Sequence, residues 1–571
     1  MTNVLYDGDR FNVRLNKKIY KQILQIAEEA KYFEYTHEIG VMSLPPTKRI
    51  AKILYDMGLE FDLTAKVFLD KIIPDKIDKN EIDFSLFKPL ELRPYQEQGV
   101  SWILKNNIHF LLGDEMGLGK TIQIASYLFF KQEFPALIIC PASLKLNWER
   151  EINIWTKKKC LVLDGLSPYQ VEGLLVEFPI VIINYDILGR KDKLEVEYEN
   201  KRIKDAKKNG LPYRKKIIHP TGWVDILKRI QFRDIICDEC QFIGEMETAR
   251  TQCVIDICKE VKSARRIFLS GTPYTAATRQ FYPTLHLIDS SIFNNKWRFQ
   301  MTYCDPIKTR FGWIFKGLSN GEQLHELVSR LMLRRLKKDV LKELPDKIKS
   351  VIPMKLSKKA YKNYIDVEYR LLNTEVINNE KQTYQELKRE AYYVKVDSCI
   401  QWVKEYLDIN NKLVVFVYHR ESFQKLMSEF DNICVGINGE IPANKRQGIV
   451  DQFQNNKKIK LFIGQIRAAG VGITLTAASA VAFIEFGNTA AEHEQAEDRI
   501  HRIGQEADKV IAYYLIANGT LDEDIIEHIQ IGYANQKRVL DGEVNAKFIE
   551  NEADDFARSV LHSRKCKIKT L

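Results

Sequence analysis

Short apolar runs recur along this chain at strand length, with helix-like sequence between them, and that rhythm leaves few folds open. HFLLG (109–113), PALIICP (135–141), PIVIINY (179–185), RDIICDE (233–239) and RIFLSGT (266–272) make a first set. KLVVFVYH (412–419), KLFIGQ (460–465), AVAFIEF (480–486) and KVIAYYLI (509–516) make a second. Runs without polar alternation belong to strands covered on both faces, and parallel strands need long crossovers. Each set therefore predicts a parallel α/β sheet flanked by helices. The fold class is α/β with two lobes, over 89–300 and 401–545, separated by a helical protrusion and linker over 301–400. Residues 1–88 read as a small N-terminal accessory domain with helical stretches such as 17–33. Residues 546–571 read as a C-terminal tail too short for a further domain.

A length of 571 residues is too great for one core, and the formal charge of +10 suits a polyanion partner without requiring one. The start, MTNVLYDGDRF, has no basic stretch followed by an apolar run, and the longest apolar runs are strand-length. An intracellular protein without membrane spans is expected. The ten cysteines are scattered, as for reduced thiols. Cys237, Cys240, Cys253 and Cys258 have roughly zinc-like spacing, but Cys237 ends an apolar strand and Cys240 lies within an acidic motif, which favours buried thiols.

DEMGLGKT (114–121) lies between the run HFLLG and the helix-like TIQIASYLFF. A strand, a Gly-rich turn and a helix N-terminus form an anion cradle, with the N–H groups of Gly117, Gly119 and Lys120 directed at phosphate oxygens. Lys120 is placed to neutralise the β/γ-phosphates of ATP and the Thr121 hydroxyl to ligate Mg²⁺. Asp114 occupies the position where the literal phosphate-loop pattern has its first Gly. Asp238 and Glu239 follow the strand FRDIIC. Adjacent carboxylates at a strand end suit a division of labour in which Asp238 holds Mg²⁺ and Glu239 orients the attacking water. Ser270-Gly271-Thr272-Pro273 follows RIFL, where small hydroxyl residues sense the nucleotide. Gln96, in LRPYQEQGVSWI (92–103), can pair bidentately with an adenine edge. Arg499 and Arg502, in QAEDRIHRIGQ (495–505), are three apart and so share one helix face; they are candidate arginine fingers.

The order of motifs resembles the Swi/Snf-type branch of superfamily-two helicase-like ATPases from about residue 89 to 545. LRPYQ, DEMGLGKT, CPASLKLNWERE, INYDIL, DECQ, LSGTP, LRRLKKDVLKELPDK, AAGVGITLTAAS and QAEDRIHRIGQ carry it. The resemblance implies RecA-like lobes and an ATP-dependent translocase on double-stranded DNA. Within the branch, FKGLSNGEQLHELVSRLMLRRLKKDV is most similar to the HARP-type annealing-helicase and fork-remodelling subgroup. The N-terminal piece 31–61 resembles a HARP-type recognition domain; a generic helical cap is the other reading. Cys240 and Gln241 depart from the family pattern while keeping both carboxylates, so hydrolysis is expected and its coupling is open to change. FIGEMETART lacks the Lys-Asn often found there.

The expected DNA contacts are Ser143, Lys145, Trp148, Asn184, Tyr185 and Arg250 on the first lobe and Arg420 and Thr474 on the second. Such groups suit phosphates rather than base edges. Residues 190–216 hold eleven Lys/Arg against five Asp/Glu, so the insertion 190–220 reads either as a solvated surface hairpin or loop or as a DNA-contacting one. The implied partners are double-stranded or branched DNA and replication or recombination proteins, with no membrane and a monomeric state. The expected location is the cytoplasm of a bacterial cell or a virus-infected host, or the nucleus if the source is eukaryotic. An RNA or single-strand unwinding helicase, and a protein-displacing remodeller using DNA as track, are the alternatives.

Overall fold

The computed structural model describes residues 82–546 other than 88–89, 107, 210–215, 217, 311, 374–379 and 470–472, together with short stretches before residue 60. Beyond Ala546 the expected tail lies outside the described residues, as does most of the segment 31–61. The chain divides into two compact units. Unit 1 is Met1–Leu336 with Arg538–Gly542, and unit 2 is Lys337–Lys537 with Glu543–Leu571.

The N-terminal part of unit 1, expected as a small accessory domain with helical stretches, also carries a sheet among its described residues. It holds β1 (Val4–Tyr6), β2 (Phe11–Arg14), β3 (Glu34–Thr36) and β4 (Val41–Leu44) in an antiparallel sheet of order β1-β2-β4-β3. Phe11, Val13, Met42 and Leu44 turn inward onto Ile23, Ile50 and Leu54. Of the helix expected at 17–33, residues 20–24 are helical among the described residues. Strands of three or four residues are too short for their alternation to separate them from helix.

The main sheet of unit 1 contains β5 (Phe110–Leu112), β6 (Ala136–Cys140), β7 (Cys160–Val162), β8 (Ile180–Asn184), β9 (Asp234–Asp238) and β10 (Arg265–Leu269). A hairpin of β11 (Pro306–Thr309) and β12 (Gly312–Phe315) follows, and then β13 (Met332–Leu333) completes a seven-stranded parallel sheet, β13-β5-β10-β9-β6-β8-β7. Both faces are covered. On β6, Leu137 and Ile139 enter one core while Ala136, Ile138 and Cys140 enter the other, which is why the strand reads as an unbroken apolar run.

Unit 2 repeats the plan with β14 (Asp346–Met354), β15 (Leu413–Val417), β16 (Cys434–Ile437), β17 (Leu461–Gln465), β18 (Ala480–Phe483) and β19 (Lys509–Ala517). Its six-stranded sheet has the order β14-β19-β18-β15-β17-β16, all parallel. The two α/β lobes are thus present with different edges from those expected. The stretch 301–400 is no single protrusion: it supplies a hairpin and an edge strand to unit 1, then an edge strand and helices to unit 2. Edge strands are half exposed, so MLRRL and KIKSVIPM lack the apolar density that marks the central strands.

The insertion 190–220 is closed at its neck by a bridge between Arg190 and Thr221 and carries the helix Lys193–Lys208 in place of a hairpin or loop. Glu199 pairs with Arg202 one turn on and accepts the N–H of Lys216, tying helix to returning chain. No helix among the described residues is long and apolar enough to cross a membrane.

Candidate nucleotide site and nucleic-acid contacts

Strands β5, β10 and β9 are neighbours, so the loops at their carboxyl ends stand side by side, where open parallel sheets take their ligands. The loop after β5 runs into the helix Lys120–Lys131, whose first N–H groups have no intrahelical partner. Gly117 and Gly119 have φ of +86° and +77°, and a Cβ on Gly119 would lie 2.5 Å from Gln96 Nε2. Gln96 is therefore seated against the loop. Its Nε2 donates to the Leu118 carbonyl (3.2 Å) and its Oε1 accepts from the Arg93 N–H (2.9 Å). Lys120 Nζ donates to the Asp114 carbonyl at 2.7 Å. Burial pulls the Lys120 pKa down, while Glu239, Asp114 and Asp238 oppose that shift. Thr121 is half-buried beside it.

Asp114 stands at the head of this loop for a structural reason. Its fully buried carboxylate accepts from Gln123 Nε2 (3.0 Å), the Arg335 N–H (3.1 Å) and Arg335 Nε (2.9 Å), and it also meets Arg335 Nη2. Arg335 further donates to Gln123 Oε1 (2.7 Å) and to the Tyr95 carbonyl. Its neighbour Arg334 donates to the carbonyls of Gly113 (2.7 Å) and Gly271 (3.0 Å) and pairs with Asp541. Sequence reasoning missed Gln123, Arg334, Arg335 and Asp541: the arginines lie more than two hundred positions from their carboxylates and give no spacing signal, and Gln123, nine positions from Asp114, reads as an ordinary helix residue.

Asp238 closes β9 and is buried. Trp148 Nε1 donates to its Oδ2 (2.7 Å) and the Glu239 N–H to its Oδ1 (3.0 Å). Burial, and then Glu239, push its pKa up. Glu239 has a φ of +53°, a left-handed conformation uncommon outside glycine and found at functional positions. Its Oε2 accepts from Gln241 Nε2 at 2.8 Å, and Gln241 Oε1 accepts from the Ser270 hydroxyl at 2.7 Å. Ser270 Oγ in turn accepts the Thr272 N–H at 3.0 Å. Gln241, the departure from the family residue, thus links the carboxylate to the loop after β10. A Cβ on Gly271 would stand 3.0 Å from Met116 Cγ and 3.1 Å from its N, so the third loop rests directly on the first. The thiols of Cys237, Cys240, Cys253 and Cys258 are buried, and burial raises their pKa values.

Four expected DNA contacts require correction. Trp148 and Tyr185 are buried against Asp238, the first through its indole and the second by donating its hydroxyl to the Asp238 carbonyl (2.8 Å). Asn184 is buried at the end of β8, and buried Lys145 donates to the Leu163 carbonyl (3.1 Å) while pairing with Asp164. All four side chains are buried, Trp148 and Tyr185 beneath Asp238 and Lys145 against the chain that follows β7. Ser143 is exposed after β6. Arg250 is partly exposed, 5.7 Å over the Phe242 ring and 3.9 Å from Asp186. Exposed Arg420 pairs with Glu440 at 2.7 Å, and half-buried Thr474 accepts from Arg502 at 3.0 Å.

In unit 2, Arg499 and Arg502 do not share a helix face. The helix ends at Glu497 and both arginines lie in the turns beyond it. The Leu475 N–H donates to the Arg499 carbonyl (2.8 Å), and Asp498 is held by Lys337 (2.9 Å) and Lys347 (3.3 Å). The guanidinium groups still converge, because both donate to the Ile473 carbonyl, at 3.4 and 3.1 Å.

Residues 95–428 match the model of the SNF2-related domain. The chain belongs to the SNF2-related family. Residues 396–504 also match the helicase conserved C-terminal domain. This SNF2-related chain is 31% identical over 460 residues to a Caenorhabditis elegans homolog of SWI/SNF-related matrix-associated actin-dependent regulator of chromatin subfamily A-like protein 1, covering 77% of this chain and 60% of that protein. It is likewise 31% identical over 463 residues to the Homo sapiens DNA annealing helicase and endonuclease ZRANB3, covering 78% of this chain and 40% of that protein. The chain thus spans 60% and 40% of the length of these two relatives. Among solved structures, the Sulfolobus solfataricus SWI2/SNF2 ATPase core in complex with dsDNA is 25% identical, with 76% of this chain and 90% of that chain covered and a TM-score of 0.35. At that score the likeness adds nothing to the sheet order itself.

Proposed function

We propose that this chain is an ATP-dependent translocase on double-stranded DNA that remodels or anneals branched DNA. The observation that carries the hydrolytic half is the meeting of Lys120, Asp238, Glu239 and the Ser270–Thr272 loop on three adjacent strand ends. The DNA half is supported by the annealing-helicase relatives. Gly117, Gly119 and Lys120 bind the phosphates, and Gln96, whose amide here bonds the Arg93 N–H and the Leu118 carbonyl, is the candidate for the adenine edge. Thr121 and Asp238 suit a Mg²⁺ ion, which would neutralise phosphate charge. Glu239, oriented by Gln241, positions the attacking water, and Arg499 and Arg502 are the cationic candidates of unit 2. Ser143, Arg250, Arg420 and Thr474 remain as backbone contacts, without base readout.

The test is one ATPase assay across blunt duplex, forked duplex, single-stranded DNA and RNA, with an annealing assay on the same substrates. Duplex and forked DNA should stimulate turnover most, and Lys120→Ala should abolish it. RNA stimulating better than duplex DNA would overturn the substrate assignment. A requirement for a bound protein target would favour a remodeller using DNA only as track.

A further inference from the structure

The hairpin of unit 1 leaves a set of large apolar side chains uncovered. Trp297, at the start of the helix Lys296–Tyr303, is 53% exposed and Trp313 on the hairpin 39%, while Ile307 and Ile314, paired on the ribbon's other face, are 52% and 36% exposed. Soluble surfaces seldom group such residues without a use. Trp297 meets Trp313 edge-on at 6.3 Å between ring centroids and Phe315 at 5.6 Å, so the rings brace one another at fixed angles.

The register places a charge on the face that carries Trp313. Lys308 lies directly opposite Trp313 and Pro306 opposite Phe315, and directly opposed residues share a face of the ribbon. Residues 289–320 hold five Lys/Arg against two Asp. Lys308, Arg310 and Lys316 have no salt-bridge partner among the described residues, whereas Lys296 is committed to Glu247 at 2.5 Å. That ion pair fixes the ribbon's position, because Glu247 belongs to the turn that opens the helix Ala249–Glu260, the carrier of Arg250. On the other side, Ile292 packs against the core of the N-terminal sheet. The ribbon therefore adjoins both the candidate phosphate contact and the accessory domain.

Flat aromatic faces interleaved with uncompensated cations suit unpaired nucleotides: rings stack on bases and ammonium groups meet phosphates. A paired duplex hides its base faces and offers such rings little. We propose that the β11–β12 ribbon, with Trp297, binds the unpaired strand of a branched DNA and so gives this translocase its preference for junctions. The inference rests on the translocase reading for its consequence, but the binding itself is measurable without hydrolysis.

The experiment uses the full chain and three variants, Trp313→Ala, Trp297→Ala and the surface charge reversal Lys308→Glu. Affinities are measured for a single-stranded oligonucleotide, a fork with unpaired arms and a blunt duplex. ATP turnover on blunt duplex is the control. Each lost stacking contact should weaken single-strand and fork binding by about 5- to 150-fold, while blunt-duplex binding and turnover stay at the parental level. Lys308→Glu, which disturbs no ring packing, should weaken the same two ligands and flatten the salt dependence of single-strand binding. Parental single-strand and fork affinity in all three variants would overturn the inference, as would equal losses on blunt duplex. A change of oligomeric state in the variants with single-strand affinity intact would instead identify the patch as a surface for a second copy and equally overturn it. If blunt duplex fails to stimulate the parent chain, the translocase reading falls, while the single-strand affinities still decide this one.

Discussion

Replacing Arg335 with Met keeps the length of the side chain and removes its charge and all its side-chain donors. The carboxylate of Asp114 is fully buried and the Arg335 side chain is 13% exposed. Breaking one partner out of a buried ion pair costs about 3–5 kcal/mol, because the remaining charge stays desolvated. Asp114 keeps the Gln123 amide and the residue-335 N–H, which places the cost toward the lower end, about 3 kcal/mol. Unit 1 has roughly 340 residues, and unfolding entropy near 2.1 cal/mol/K per residue gives it about 0.7 kcal/mol/K. The expected fall in melting temperature is therefore about 4 °C. The assay is thermal scanning of the full chain, with unit 1 identified as the transition that ADP raises. Adding Asp114→Asn should restore at least half of the loss, since no buried charge is then left unpaired. A fall under about 1 °C, or a double variant no better than Arg335→Met alone, would refute the role assigned to the pair.

Glu239→Gln should bind ATP yet lower turnover by about 10²-fold or more, and Gln241→Ala should lower kcat with little change in KM, because it removes the group that orients Glu239; unchanged kcat in the latter would detach Gln241 from catalysis. Arg499→Ala and Arg502→Ala, compared for DNA-stimulated turnover and nucleotide affinity, should lose turnover by about 10³-fold or more for a true finger, and normal turnover in both would remove them from the reaction. His493 is buried, donates from Nδ1 to the Thr489 carbonyl (3.0 Å) and accepts the Gly487 N–H at Nε2 (3.2 Å), so it is neutral. Burial pushes its pKa down to about 4, against about 6.5 unfolded. The unfolded chain takes up a proton first as pH falls, so this contribution to unit 2 stability is present above about pH 6.5 and is lost progressively toward pH 4. Urea midpoints of unit 2 measured across that window should fall, and His493→Gln should flatten the dependence.

What the sequence determined by itself was local. Unbroken runs such as ALIIC and LVVFV announce strands covered on both faces, and DEMGLGKT between a strand and a helix announces an anion cradle, because three or four adjacent residues suffice to build each. Asp238 and Glu239 were legible for the same reason, standing where an apolar strand stops. The edge strands β13 and β14 were not, since a half-exposed strand has no apolar excess to mark it, and the three- and four-residue strands of the N-terminal sheet were too short to carry a period. Tertiary structure alone decided which way a polar side chain faces. Trp148 and Tyr185 look like surface contacts from their motifs, yet they pack under Asp238 because strands β6, β8 and β9 lie side by side. Arg335 reaches Asp114 across 221 positions because β13 pairs with β5. A hydrogen bond needs a few ångströms and an angle, and only the sheet order brings such distant residues within that reach.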